Sequence, residues 1–182
     1  MEDDWENKFV TTVGLITSNG PHGNDIMAAE WTHQISYNPP LIAIHVNPKH
    51  ATYDNINFSN EFGVNLCSEN QNILSNVSGG SSGKNVNKIK VLEELDFNFY
   101  KADKINVLMV KGCAMNAECR LINKIVLGDH VMFIGEVVST KSHDINPIVL
   151  SNGKCWKLNN NIKKPSEKIL KKIQNLINKN KK

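Results

Sequence analysis

NDIMAAEWTHQISYNPP, residues 24–40, is the stretch of this chain on which the fold depends. Its first half holds the helix formers of residues 27–30, yet apolar runs rich in β-branched residues stand on both sides, VTTVGLIT at 10–17 and LIAIHV at 41–46. Both runs are typical of strands, and Pro39-Pro40 prevents a helix from continuing through the end of the stretch. The pattern therefore predicts a strand-and-loop segment between two strands rather than a helix.

The remainder of the chain alternates short apolar runs with turn residues. No long helices separate successive strands at regular intervals, which argues against a doubly wound parallel sheet. Roughly seven or eight strands with short inserted helices instead predict a mainly β protein built on a closed antiparallel barrel. The further predicted strands are residues 61–67, 95–100, 106–110, 113–121, 131–139 and 148–150, and the predicted helices are 49–58, 69–77 and 166–178.

The positive charge of the chain is concentrated at its C-terminal end. The net charge is +3, while residues 154–182 hold ten lysines and one glutamate, a balance of +9 that leaves −6 for residues 1–153. We therefore predict a barrel domain over 1–160 and a basic C-terminal tail over 161–182, with an amphipathic helix whose isoleucines and leucines share one face. The lysines indicate a solvated helix face, with a surface that steers an acidic redox partner as the alternative.

Composition argues against several classes of protein. Arg120 is the single arginine, whereas surfaces that read bases or fork phosphates use arginine, so we expect no nucleic-acid binding. No window reaches the ~18 continuous apolar residues of a membrane helix, and we expect no membrane association. The acidic start MEDDWENK lacks a signal pattern, which predicts a cytoplasmic protein. The cysteines at 67, 113, 119 and 155 form no C-x-x-C pair and are expected to be reduced thiols.

Three segments combine features of an assembly that binds an anion and a flat ring. NPKHAT, residues 47–52, ends a strand and begins a helix whose first amides are free to receive a phosphate. SSGK, residues 81–84, offers flexible backbone donors and a cation. Ala28 and Ala29 leave room for the backbone to approach a heteroaromatic ring. Each segment also has a plain structural interpretation: a capped helix start, a mobile loop, and ordinary strand packing with Trp31 as a core anchor.

Taken in order, these segments resemble the flavin reductase-like family of FMN-binding split barrels, which includes archaeal FMN-binding proteins, ferric reductase and flavoredoxin. The resemblance rests on the small residues before Pro39-Pro40, the helix start at 47–52, FGVNL at 62–66 and GDHVMFIGEVV at 128–138. It covers roughly residues 10–156. It implies a homodimer with a split β-barrel fold that binds one FMN per subunit, noncovalently and near the dimer interface.

The resemblance also implies roles for individual residues. The opening stretch would line the isoalloxazine ring and the ribityl chain, and the helix start would hold the phosphate with help from the serine-glycine loop. The residues implied are Asn24, Met27, Ala28, Ala29, Glu30, Trp31 and Thr32 for the ring and ribityl chain, and Asn47, Lys49, His50, Thr52, Ser82 and Lys84 for the phosphate. Many members have arginine before the phosphate-binding threonine, where this chain has Lys49-His50, which keeps the charge without the forked geometry.

Three further residues concern a second substrate or a metal. The resemblance places His130, in Gly-Asp-His, and Trp156 near the flavin, where the second substrate docks in similar proteins. A turn histidine bonded to backbone is the alternative for His130. His45, inside an apolar strand, is expected to be a satisfied core or interface histidine. If it instead faces the flavin beside His130, the pair is a candidate iron site.

The implied activity is that of an NAD(P)H-dependent oxidoreductase that reduces free flavin or ferric complexes by hydride transfer through bound FMN. A flavoredoxin-like electron carrier, reduced by a protein partner and without its own nicotinamide site, is the first alternative. A non-redox binding protein on the same scaffold is the second. No selector between NADH and NADPH is recognisable in the sequence, and the final electron acceptor has no sequence signature.

Overall fold

A computed structural model describes residues 5–181 of the chain; residues 1–4 of the acidic start and Lys182 of the basic tail lie outside the described residues. A short 3₁₀ helix at Trp5–Lys8 precedes the first strand. The strands of the described chain are β1 (Val10–Thr12), β2 (Gly14–Ser18), β3 (Asp25–Ala29), β4 (Thr32–Tyr37), β5 (Pro40–Val46), β6 (Glu61–Leu66), β7 (Phe99–Lys101), β8 (Leu108–Val110), β9 (Met115–Leu127), β10 (His130–Ser142), β11 (Ile148–Ser151) and β12 (Lys154–Lys157). The α-helices are α1 (Ala51–Ser59), α2 (Asn72–Gly80), α3 (Lys88–Glu94) and α4 (Glu167–Lys179).

Seven antiparallel strands form the main sheet, in the order β3-β2-β6-β9-β10-β5-β4. Its two edge strands, β3 and β4, follow each other in the chain with only Glu30 and Trp31 between them, so the sheet curls until its edges approach. At this junction the His45 amide of β5 donates to the Trp31 carbonyl over 3.1 Å. The mainly β architecture with inserted helices is thus as predicted, and the barrel is split, as the resemblance implies, at this junction. The described strands do not form the closed barrel that the strand pattern alone favours.

Three clusters of buried apolar residues hold the described chain together; the smallest is Ile105, Val107 and Met109, and the other two are large cores. The first fills the barrel, where Phe62 and Phe133 are fully buried and Gly135 lets β10 approach Phe62: an added Cβ would lie 2.5 Å from the Phe62 ring. The second lies outside the barrel, where β2 and β3 pack against α2 and α3 through residues such as Leu15, Ile26 and Leu74. Residues along β3 alternate between the two cores, which fixes this strand from both sides.

The chain crosses between sheets where the sequence predicts one continuous strand over 10–17. Val13 separates β1, which pairs with β11 in a three-stranded sheet, from β2, which pairs with β3 and β6. The Val13 carbonyl accepts from the Cys67 amide over 3.0 Å at the crossing. The apolar pattern is continuous because both halves are covered, so periodicity alone does not reveal the change of partner.

Several predicted boundaries are shifted and one predicted element is wrong. The first helix begins at Ala51 rather than 49, because the residues before it form a turn in which the His50 amide donates to the Asn47 carbonyl over 3.0 Å. The predicted strand at 95–100 is instead the end of α3, a left-handed Asp96 with φ of 64°, and only the first part of β7. The sequence prediction contains no counterpart of α3.

The C-terminal helix stands apart from the cores. None of the described residues of α4 is buried, and its apolar stripe, which includes Ile169, Ile173 and Ile177, is exposed by between 43% and 53%. Among the described residues, no helix combines the length and apolar character that a bilayer crossing requires. All four cysteines are free thiols, and all but Cys155 are buried.

Candidate functional site

A cleft of about 180 Å³ opens where β3 ends, at the split of the barrel. It collects residues from the β3–β4 junction, the end of β5, the residue before α1 and the start of β10. The lining residues are Met27, Ala28, Ala29, Glu30, Trp31, His45, Asn47, His50 and His130. The sequence-predicted ring segment and part of the predicted phosphate segment therefore meet in one place, although they are separate in the chain.

One wall of the cleft is the second half of β3. Met27 and Ala29 pack into the barrel core, whereas Ala28 faces the second core and α2. An added Cβ on Gly79 of α2 would lie 3.4 Å from the Ala28 Cβ. The small side chains thus allow close packing on both faces of β3 as well as leaving the cleft open, so the strand-packing interpretation is confirmed and ring binding stays a prediction.

Aromatic and imidazole rings form the opposite side of the cleft. The Trp31 side chain is 47% exposed, its ring centroid lies 4.9 Å from that of His130, and that of His45 is 6.0 Å away. His45 Nδ1 is 3.3 Å from the Trp31 carbonyl oxygen, and His130 Nδ1 is 2.8 Å from Asp129 Oδ1. His33, the next ring along, lies 6.3 Å from His45 between centroids. Trp31 is therefore an exposed wall of the cleft rather than a core anchor.

The two histidines proposed for iron both contact Trp31. In the part of the chain that the structure describes, no group of three or more histidine, cysteine, aspartate or glutamate side chains is arranged to hold a metal ion. Iron binding through His45 and His130 therefore stays a prediction that rests on two ligands.

The polar end of the cleft lies at the start of α1. His50 precedes the helix in extended conformation, with φ of −80° and ψ of 148°, and its side chain makes no capping hydrogen bond. Asn47 Oδ1 accepts from the Lys49 amide over 3.1 Å, which shapes the turn before the helix. The Lys49 side chain is exposed and is not among the residues that line the cleft. His50 and Asn47 are thus the members of NPKHAT that reach the cleft.

Burial lowers the pKa of His50 below its ordinary value of 6.5, and the nearby positive charge of Lys88 acts in the same direction. Between the lowered pKa and pH 6.5, the unfolded chain binds more protons at this site than the folded protein does. The contribution of His50 to stability is therefore complete above pH 6.5 and is lost as the pH falls through the lowered pKa.

Replacing His50 by glutamine should make the pH dependence of stability below pH 6.5 shallower, because glutamine does not titrate, while His33, whose pKa burial and His45 also lower, still does. The measurement is urea unfolding of both proteins at a series of pH values on either side of the ordinary histidine pKa. A variant whose unfolding midpoint falls with acidification as steeply as that of the wild type would contradict the assignment.

A buried ion pair lies beneath the polar end of the cleft. Lys88 Nζ is 3.1 Å from Asp25 Oδ1, and the two side chains are 2% and 3% exposed. The Thr52 hydroxyl donates to Asp25 Oδ2 over 3.2 Å, and Thr52 is fully buried. Thr52, predicted as a phosphate ligand, thus already donates the hydrogen bond of its hydroxyl to Asp25. Thr32, predicted beside the ring, is also buried and donates to the Ala29 carbonyl over 3.1 Å.

The serine-glycine loop folds against α1 rather than standing free. Lys84 Nζ lies 2.8 Å from Asp54 Oδ2, and His22 Nε2 lies 2.8 Å from the same oxygen. The hydrogen bonds from Lys84 and then His22 lower the pKa of Asp54. The Ser82 hydroxyl accepts from the Lys84 amide over 3.3 Å. SSGK therefore makes contacts with α1 and within the loop that the mobile-loop interpretation does not include.

Two cavities in the described part of the chain are larger than the cleft, and one of them shares lining residues with it. One of about 410 Å³ is lined by Asn24 and Lys84, together with the loop that follows Lys84. The other, of about 710 Å³, lies between the N-terminal 3₁₀ helix and the turn after β11, and Glu30 and Trp31 line both it and the cleft. Trp156 on β12 lines none of these spaces; its Nε1 donates to the Ser151 carbonyl over 3.3 Å.

Sequence reasoning missed three residues that belong to this region. Asp25 stands inside the opening stretch, but its neighbours Asn24 and Met27 were the predicted contacts. Lys88 follows the serine-glycine loop in a segment without a predicted element. A lysine at the start of an apolar-periodic run that becomes buried in the fold indicates that an opposite charge lies beside it. His33 had no signal, because only the pairing of β4 with β5 brings it beside His45.

Comparison with known proteins agrees with this geometry. A family model described as a flavin reductase like domain matches residues 7–158. An uncharacterized protein of Archaeoglobus fulgidus is 30% identical over 132 residues, which are 71% of each chain. A protein named FMN reductase (NADH) SmoA, from Agrobacterium fabrum, is 23% identical, with 80% of this chain and 78% of that protein covered. The predicted family is therefore confirmed.

Solved structures share the fold. Flavoredoxin from Methanosarcina acetivorans superimposes with a TM-score of 0.78 at 21% identity, covering 88% of this chain and 91% of its own. The NADH:FAD oxidoreductase SgcE6 from Streptomyces globisporus does so with a TM-score of 0.78 at 18% identity, covering 86% and 90%. Both likenesses extend over the barrel and its inserted helices, and they confirm the predicted fold class.

Proposed function

Because the chain belongs to the family of flavin reductase-like domains, we propose that it is an FMN-binding oxidoreductase that uses NADH or NADPH to reduce free flavin or ferric complexes. The observation that carries this proposal is the cleft at the barrel split, which has an apolar and aromatic wall at one end and the polar side chains of Asn47 and His50 at the other. Relatives named FMN reductase (NADH) support the nicotinamide as electron source.

The residues present fit FMN by their chemistry. Trp31, Ala28 and Ala29 offer a surface for a flat ring. Asn47 and His50 stand at the polar end, where the ribityl hydroxyls and the phosphate would lie, and Lys84 is close enough to act on the pKa of His50. A hydrogen bond from the Lys84 ammonium group to a phosphate would be charge-assisted and stronger than one from a neutral donor. Asn24, Lys49, Ser82, Thr32 and Thr52 remain candidate cofactor contacts, the last two through their backbone.

The chemistry supplied by bound FMN would be hydride acceptance and onward electron transfer. The protein then needs to orient the cofactor and to control access rather than to supply an acid or a base. Trp31 and His130 would bound the approach of the second substrate, and the 710 Å³ cavity beyond Glu30 and Trp31 would receive it. Trp156 lies outside that cavity, so its proposed role requires movement of β12 or a partner subunit.

A homodimer is part of the proposal. Exposed apolar side chains gather on β4 and at the tip of the β9–β10 hairpin. Monomeric proteins rarely expose large apolar patches, so this surface favours a subunit contact. The residues are Ile35 and Tyr37 on β4, and Ile122, Ile125, Val126 and Leu127 on β9. Trp31 is exposed close to β4, so a partner subunit on this surface would help to enclose the cleft. We propose a cytoplasmic location for the dimer.

A flavoredoxin-like carrier is the second candidate function. The exposed helix α4 and the lysines around it favour it, because a basic surface steers an acidic redox partner. In that case a protein partner would deliver the electrons in place of a nicotinamide.

The proposed function predicts a yellow purified protein with an absorbance band near ~450 nm, which comes from the flavin itself. Anaerobic addition of NADH or NADPH should bleach the band, and steady-state nicotinamide oxidation should rise when free FMN is added. A band that bleaches only with a reduced protein partner would favour the carrier. A protein that takes up no FMN would contradict both candidates.

A further inference from the structure

We propose that Asp25 is a positioning residue whose buried carboxylate holds the start of α1, at the polar end of the cleft, against the serine-glycine loop, which is the second predicted phosphate-binding segment. The proposal rests on the FMN-binding function above. Asp25 is the first residue of β3 and does not line the cleft itself. Its effect on the phosphate would therefore pass through the groups bonded to it.

Each oxygen of the Asp25 carboxylate bonds a different segment. Oδ2 accepts from the hydroxyl of Thr52 in the first turn of α1 over 3.2 Å. Oδ1 is 3.1 Å from Nζ of Lys88, the first residue of α3. His50 immediately precedes α1, and Ser82 and Lys84 lie in the segment before Lys88. One side chain thus sets the distance between the two predicted phosphate-binding segments.

The serine-glycine loop is also in direct contact with the same carboxylate. A Cβ added to Gly83 would overlap the Asp25 carboxylate, so the loop backbone lies against it with no space for a side chain. Lys88 has a second contact, from Nζ to the Ser78 carbonyl at 3.4 Å, which ties it to α2. The loop is therefore held at both ends of the 83–88 segment by groups packed on Asp25.

The charges of this pair act on the pKa of His50 in the cleft. Burial and then the charge of Lys88 lower this pKa, while the charge of Asp25 raises it. Because the ion pair is nearly neutral as a whole, a phosphate bound above it would not face an uncompensated carboxylate.

The ring wall does not depend on Asp25 in the same way. Residues of β3 pair with β2 in continuous register, from Gly14 opposite Ala29 to Ser18 opposite Asp25. Met27 and Ala29 are anchored in the barrel core. Disturbing the carboxylate should therefore affect the phosphate end and leave the ring end in place, which gives the proposal a distinctive readout.

The test compares the affinities of the full chain for FMN and for riboflavin, which has the same ring and ribityl chain without the phosphate. Gly83→Ala pushes a methyl group against Asp25 and removes no polar group. Gly80→Ala is the matched control in the same region, since an added Cβ there meets nothing within 4 Å. Asp25→Asn/Lys88→Met removes both buried charges together and keeps an acceptor for Thr52.

We expect Gly83→Ala and the double variant to displace the phosphate-binding segments and so to weaken FMN binding by about tenfold or more, the equivalent of one charged hydrogen bond to the phosphate, with little change for riboflavin. Gly80→Ala should bind both flavins as the wild type does. Equal weakening of both flavins, or no weakening of FMN by Gly83→Ala, would overturn the positioning role. If the wild type binds neither flavin, the proposed function itself fails, and the role of Asp25 falls with it.

Discussion

Replacing Lys88 by methionine should lower the free energy of unfolding by about 3–5 kcal/mol, because it leaves the Asp25 carboxylate buried without its counter-ion. The side chains of the pair are 2% and 3% exposed, so water cannot take the place of the lost ammonium group. Thr52 would remain as the hydrogen-bond donor to the carboxylate, and one neutral donor does not offset an isolated buried charge.

Urea unfolding of wild type and variant measures this loss. The matched control is Lys141→Met, which removes an exposed lysine whose Nζ is 3.0 Å from Asp103 Oδ2, and it should leave the unfolding midpoint unchanged. Asp25→Asn/Lys88→Met should recover much of the stability, since no charge is then left buried. A Lys88→Met protein as stable as the Lys141→Met control would show that the pair contributes little to the fold.

Saturation with FMN should raise the free energy of unfolding by about 2.7 kcal/mol when the free cofactor is at one hundred times its dissociation constant. This effect follows from binding to the folded state alone, because the cleft is assembled from β3, β5, β10 and the turn before α1 and does not exist in the unfolded chain. It therefore tests the site independently of any activity.

The measurement is urea unfolding of the protein stripped of flavin, with and without added FMN. AMP at the same concentration is the control for a phosphate without the isoalloxazine ring, and it should give a much smaller rise. An unfolding curve that FMN leaves in place, or that AMP moves as far as FMN does, would contradict binding of the ring at this cleft.

The strands were predictable where one apolar run has one set of neighbours. The runs at 41–46, 61–67 and 131–139 lie on β5, β6 and β10, whose bounds differ from the prediction by only a few residues. The prediction failed where the apolar pattern does not indicate which strand or helix a segment packs against. The run at 10–17 serves two sheets, and α3 is too short for its periodicity to stand out, so the helix has no predicted counterpart and a strand over 95–100 is predicted on the residues that follow it.

The sequence predicted which segments form the candidate site better than it predicted the contacts that their side chains make. Seven residues of the predicted cofactor set line the cleft: Met27, Ala28, Ala29, Glu30, Trp31, Asn47 and His50. The hydroxyls of Thr32 and Thr52 are bonded inside the protein, and Lys84 pairs with Asp54. Side-chain direction decides these differences, and it depends on which neighbour is within reach.

The sequence by itself determined the mainly β class and the amphipathic tail helix, because residue type and order carry these properties, and it grouped NDIMAAEWT with NPKHAT, which meet at one cleft. The tertiary structure alone decided where the barrel is split, beside Trp31, and that Asp25 and Lys88 form one buried pair. The physical reason is the distance along the chain. A charge separated from its partner by more than sixty residues becomes a compensated pair only after the sheet and helices have placed both side chains in the same dry space.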